Sequence, residues 1–203
     1  MVSKKEGREG LGPPSLWVLA LGVVWGLVWG KAYAVEAWER VLGLGLEYHG
    51  LRLGQKLGRA ELRGFEPMAE AYEGVIRYRS SENKNLIIAL SEEDARLLAF
   101  YESWKGVESS ELKWLKHNLK VIFGDPTVEA HGNSWWLYGP KGKIEREEYD
   151  RLKKAGVEPE VWAIVKWISV PQKEFYYLTI FSPILIRQYI SEDLEREVGY
   201  AGH

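Results

Sequence analysis

The chain has 203 residues, no cysteine and a formal net charge of −2, with 46% apolar and 28% charged residues. The length suits one domain with an appendage, and the composition supplies enough apolar side chains for a core. Disulfides and thiolate metal sites are excluded, and the basic excess with which nucleic-acid binders neutralise phosphates is missing, so nucleic acid is not an expected partner. No two of His49, His117, His131 and His203 fall within one helical turn, so the HExxH zinc pattern is absent and no metal or other cofactor is expected. Glu outnumbers Asp 25 to 4, and Asn, Gln and Met number 4, 3 and 2. Such Glu enrichment with few thermolabile side chains points to a thermophilic source.

Residues 1–14 form a basic segment with Lys4, Lys5 and Arg8. The stretch from Gly10 to Gly30 carries no charge and is most apolar from Leu16 to Trp29. As a helix, Ser15–Val35 has 21 residues and spans ~30 Å, the thickness of a bilayer's hydrocarbon core. Pro13 and Pro14 stand where a helix start tolerates them. Trp17 at one end and Trp29 and Tyr33 at the other suit the interfaces.

Three readings fit this segment: an uncleaved single-pass signal anchor, a signal peptide cut after Ala34 at Ala32-Tyr33-Ala34, and a helix buried in a soluble fold. The length of the run and its three tryptophans favour the anchor. Three Lys/Arg precede the segment and two, Lys31 and Arg40, follow closely. The positive-inside rule then places the C-terminal domain on the extracytoplasmic side. Gly22, Gly26 and Gly30 lie four apart on one helix face, as two overlapping GxxxG steps that suit close pairing of two helices and a homo-oligomer.

Residues 36–203 read as a soluble α+β domain with a mainly antiparallel sheet and several packed helices. A helix runs to about Leu42, and strands then turn at His49-Gly50. Gly74–Arg79 and Asn85–Leu90 are strands around a polar turn at Ser80–Lys84. Ser91-Glu92-Glu93-Asp94 has the form of a helix start, followed by a stripe of Leu97, Leu98, Tyr101 and Trp104. A second helix opens at Ser109/Ser110 with Leu112, Leu115 and Leu119 inward, and Lys113, Lys116, His117 and Lys120 on its solvated side. Val121–Phe123 reads as a short strand before a turn at Gly124-Asp125-Pro126. Val128–His131 and Ser134–Tyr138 form a hairpin, and Ile144–Ala155 a charged surface helix. Glu160–Val170 and Phe175–Phe181 form the central hairpin. Ser182-Pro183 bends the chain before Ile184–Ile190, and Ser191 opens a last short helix with Leu194 and Val198 inward.

The densest polar group is Asp125, Glu129, His131, Asn133 and Ser134. On a strand Glu129 and His131 share a face, so Glu129 could orient His131 as a base for Ser134; the bland alternative is an ordinary turn. Trp135 and Trp136 are adjacent, so they face opposite sides of a sheet, and an exposed one could anchor a ligand or partner. Gly139–Lys143 resembles a phosphate loop only superficially, because Leu137 and Ile144 stand where that loop needs Gly and Ser/Thr. The pattern points to a membrane-anchored, non-catalytic binding or assembly protein of a cell or virion envelope, in contact with membrane lipid and a protein partner. The alternatives are an envelope hydrolase built around His131 and a secreted binding module released after Ala34.

Overall fold

Beyond residue 64 the extended segments pair into one antiparallel sheet, with helices between them. The structure is a computed structural model, and it describes residues 37–69, 73–170, 172 and 174–189. The chain divides into units 1–36 and 37–203. The segment 15–35 with Gly22, Gly26 and Gly30, and the helix expected from Ser191, lie outside the described residues. Among the described residues no helix is long and apolar enough to cross a membrane.

Helix α1 covers residues 37–43. A small hairpin follows, β1 (Glu47–Tyr48) and β2 (Leu51–Arg52). Its turn residues His49 and Gly50 have φ of 51° and 75°. Positive φ at both central positions is the two-residue geometry whose twist matches that of the strands. The main sheet is built from β3 (Phe65–Pro67), β4 (Val75–Ser80), β5 (Leu86–Ser91), β6 (Leu97–Lys105), β7 (Val128–Ala130), β8 (Asn133–Gly139), β9 (Gly142–Lys143), β10 (Ala163–Val170) and β11 (Phe175–Phe181). Their order is β3-β4-β5-β6-β11-β10-β8-β7, with β9 paired to β8. The β10–β11 hairpin lies inside the sheet, where its apolar composition requires cover on both edges.

Ile88, Phe100, Ile180, Val165 and Trp136 are successive cross-strand partners on one face. All five are at most 2% exposed. Trp38 and Val41 of α1, Leu46, Leu51 and Leu53 around the small hairpin, and Leu119 and Phe123 join the same core. Ile87, Tyr101, Thr179, Lys166 and Trp135 make the matching row on the other face. These are half-buried.

The structure corrects two expectations and redraws a third segment. The helix expected after Ser91 is strand β6. Ser91 does gather the turn, through its hydroxyl contact with Asp94 and its carbonyl, which accepts from Ala95 N at 3.0 Å. Ala95 then takes φ of 56° and reverses the chain. The leucine, tyrosine and tryptophan spacing imitated a helical stripe, while the true alternation of Phe100, Glu102 and Trp104 was hidden by a charge on the buried face. Val121–Phe123 is not a strand but the last turn of α2 (Ser109–Phe123), where Phe123 follows Leu119 into the core. Ile184 onward belongs to α4 (Pro183–Tyr189). Ser182 Oγ accepts from Leu185 N at 3.3 Å, and Pro183 takes the first helical position, where its missing N–H costs nothing. The charged helix appears as α3 (Arg146–Lys154).

Gly139 ends β8 against the neighbouring loop. A Cβ there would stand 2.7 Å from the Glu160 carbonyl oxygen, a backbone atom that cannot swing away. Gly139→Ala is expected to cost about 2 kcal/mol by overpacking, measured as a lower midpoint in urea.

Candidate functional site

The β7–β8 turn brings together most of the residues that the sequence singled out. His131 and Gly132 occupy its centre with φ of 52° and 80°, repeating the geometry of the His49-Gly50 turn. Asn133 Oδ1 accepts from Ser169 N at 2.8 Å and fixes the turn to β10. Beside it opens a cleft of about 300 Å³ lined by Lys116 and Lys120 of α2, Glu129, His131, Ser134 and Trp136. Trp167 closes part of its wall. Trp136 is buried, donates from Nε1 to the Gly124 carbonyl at 2.7 Å and packs on Phe123 at 5.9 Å between ring centres. Trp135 leaves the other face of the sheet, half-buried beside Lys166. The two tryptophans therefore lie on opposite faces of the sheet.

Glu129 is engaged elsewhere than at His131. Its carboxylate lies 3.7 Å from Lys120 Nζ and 3.5 Å from Arg146 Nη2. It accepts from Ser134 Oγ at 3.4 Å. Among the described residues no hydrogen bond joins His131 to Glu129 or to Ser134. A base needs an orienting partner to hold the reactive tautomer, and a nucleophile needs that base within reach. The cleft instead brings Lys116 and Lys120 beside the Glu129 carboxylate, with Trp136 and Trp167 in its wall. Asp125, placed in the same group by the sequence, is exposed and stands 3.7 Å from Lys120. Lys143, from the loop that imitated a phosphate motif, is tied to the Asp125 carbonyl at 3.0 Å and to Glu145 at 3.1 Å.

If His131 serves only the turn, Asn should replace it well, since both residues tolerate the left-handed region. His131→Asn is expected to change stability by no more than about 0.5 kcal/mol. Urea unfolding checks this.

A second polar cluster escaped the sequence reading. Glu102 is 5% exposed and sits in the core row between Leu86 and Leu178. Tyr48 Oη donates to its Oε2 at 2.5 Å, His49 Nε2 meets the same oxygen at 2.9 Å, and Asn83 Nδ2 donates to Oε1 at 2.6 Å. Burial pushes this carboxyl's pKa up, but the hydrogen bonds from His49, Tyr48 and Asn83 outweigh it and hold the group below its ordinary value of 4.5. Burial first, then the Glu102 hydrogen bond and charge, push Tyr48 upward, so it stays a neutral donor. The partners lie 54 and 19 positions from Glu102, too far for any local motif to reveal them. With both oxygens occupied, the cluster clamps the small hairpin onto the sheet.

On the far face burial lowers the pKa of Lys166, and burial followed by the neighbouring Tyr101 raises that of Tyr177. Among the described residues no group of His, Asp and Glu has the arrangement of a metal site. No known protein family matches the chain, and no curated protein or solved structure matches it either.

Proposed function

We propose that this chain is a single-pass, membrane-anchored binding or assembly protein of a cell or virion envelope, with its folded unit on the extracytoplasmic side. The observation that carries the reading is the start of the core. Ala37, Trp38 and Val41 are 7%, 5% and 0% exposed. Trp38 Nε1 donates to Tyr189 Oη at 3.0 Å, and Arg96 stacks 5.1 Å from its ring. The first described residue, Ala37, stands two positions after Val35 in the sequence and is already packed in α1. A helix spanning the bilayer at 15–35 would hold this domain at the surface.

The contacts of Glu129 favour binding over hydrolysis at His131, and the lysine-rimmed cleft is the place we assign to an acidic group of a partner. Gly22, Gly26 and Gly30 supply the face for helix pairing. Full-length chain is expected to float with phosphatidylcholine vesicles, while a chain beginning at residue 36 stays at the bottom of the gradient. Equal sedimentation of the two would sink the anchor reading. In the vesicles, Gly26→Leu is expected to reduce cross-linked dimer, and an unchanged yield would remove the glycine face from the account.

A further inference from the structure

The two faces of the main sheet differ in what they carry. Trp38 and Val41 of α1, Leu119 and Phe123 of α2 and Leu185 of α4 lie in the core with Phe100, Ile180, Val165 and Trp136, and α3 has no buried residue. On the other face Arg79, Ile87, Tyr101, Thr179, Lys166 and Trp135 are successive cross-strand partners from β4 to β8. Residues opposite one another in a sheet point to the same side, so these six form one straight row. Ile87, Tyr101 and Trp135 are not part of the core.

The row places aromatic rings on either side of an ammonium group. Tyr101 and Phe175 each touch Tyr177, with ring centres 5.8 Å apart. Trp135 lies three strands from Tyr101, about 14 Å away at the usual strand spacing. Lys166 comes between them, directly opposite Trp135. Lys105 opposes Phe175, and Arg79 extends the row beyond Ile87. Lys105, Lys166 and Arg79 make no ion pair among the described residues. The one acid among the strand residues of this face is Glu66, opposite Arg79 on the edge strand, and its carboxylate is 3.7 Å from Lys84.

The chain's net charge of −2 averages over every surface, whereas on this face cations predominate. Half-buried Lys166 is partly desolvated without a counter-charge, a cost that an anion beside it would relieve. Rings on a sheet can stack on flat bases while cations between them neutralise phosphates, the combination that holds single strands. Apart from Glu66 no carboxylate on this face accepts from sugar hydroxyls, which favours a nucleic acid over an acidic polysaccharide.

We propose that this sheet face binds single-stranded nucleic acid, with bases on Tyr101, Tyr177 and Trp135 and phosphates at Lys166, Lys105 and Arg79. The assignment stands independently of the anchor reading and reverses the expectation drawn from overall charge.

The test uses the full chain in a non-ionic detergent and a short fluorescein-labelled oligothymidylate, read by anisotropy over a series of salt concentrations. The wild-type chain is expected to bind, with an affinity that falls as salt rises. Tyr101→Leu and Trp135→Ala should each weaken binding about tenfold. Lys166→Gln should weaken it and make the slope of log K against log salt shallower by about 0.7. Lys105→Gln, at the exposed end of β6, should do the same. Lys113→Gln, an equal charge change on α2, should leave affinity and slope unchanged. Thermal unfolding of each variant separates lost binding from lost folding. No binding at low salt overturns the proposal, as does binding that folded Tyr101→Leu and Trp135→Ala chains retain in full. Equal weakening by Lys113→Gln and Lys166→Gln also overturns it. Tighter binding of an oligogalacturonate, lost in the same variants, assigns the face to an acidic polysaccharide and overturns it too.

Discussion

Replacing Glu102 by Ala is expected to lower stability by about 3 kcal/mol, because Tyr48, Asn83 and His49 then lose their shared acceptor inside the fold. For a domain of this size that is a fall of roughly 6–12 °C in Tm. Glu102→Gln should cost about half as much. Its amide oxygen still accepts one hydrogen bond, but its NH2 group faces donors. The two variants also separate by pH. Because the folded pKa of Glu102 lies below the ordinary 4.5, its contribution is complete above 4.5 and is lost as pH falls through the lower folded value. Wild-type stability should therefore decline through this acid window more steeply than that of Glu102→Gln. Thermal unfolding of residues 36–203 at a series of pH values measures both effects. Parallel curves would show that the carboxylate is not the charged hub of the cluster.

The second large effect concerns the adjacent tryptophans. Trp136→Ala is expected to cost about 4 kcal/mol, through the cavity it leaves beside Phe123 and the Gly124 carbonyl it strips of its donor. Trp135→Ala, on the half-buried face beside Lys166, should cost about 1 kcal/mol. Urea midpoints of the two single variants decide the matter. Similar losses would mean that the two faces of the sheet are equally buried, against the observed register.

Much of this architecture was legible where the local pattern and the final environment agree. The His131-Gly132 and His49-Gly50 turns, the β10–β11 hairpin and α2 each combine alternation or helical spacing with a fitting turn or stop. Strand β6 was misread because its buried face carries Glu102, and period-two alternation cannot be recognised when an inward position is charged. That one residue hid both the strand and the polar cluster it organises. The end of α2 was misread for a related reason. Val121 and Ile122 are β-branched and apolar, so they imitate a strand, yet they sit on the outward side of a helix. The cleft was legible in part. Glu129, His131, Asn133 and Ser134 are close in sequence, whereas Lys116, Lys120 and Trp167 reach it only through the packing of α2 and β10. The pairing of Glu129 with Lys120 and Arg146, which weakens the hydrolase reading, could not be read from spacing at all.

If residues 15–35 anchor the chain as proposed, its folded unit works at a bilayer surface. The most direct test is carbonate extraction of membranes from cells expressing the full chain, followed by intact mass of the chain in each fraction. The account predicts an uncleaved chain in the carbonate-resistant pellet. An uncleaved chain in the supernatant, or one beginning at Val35, would contradict it.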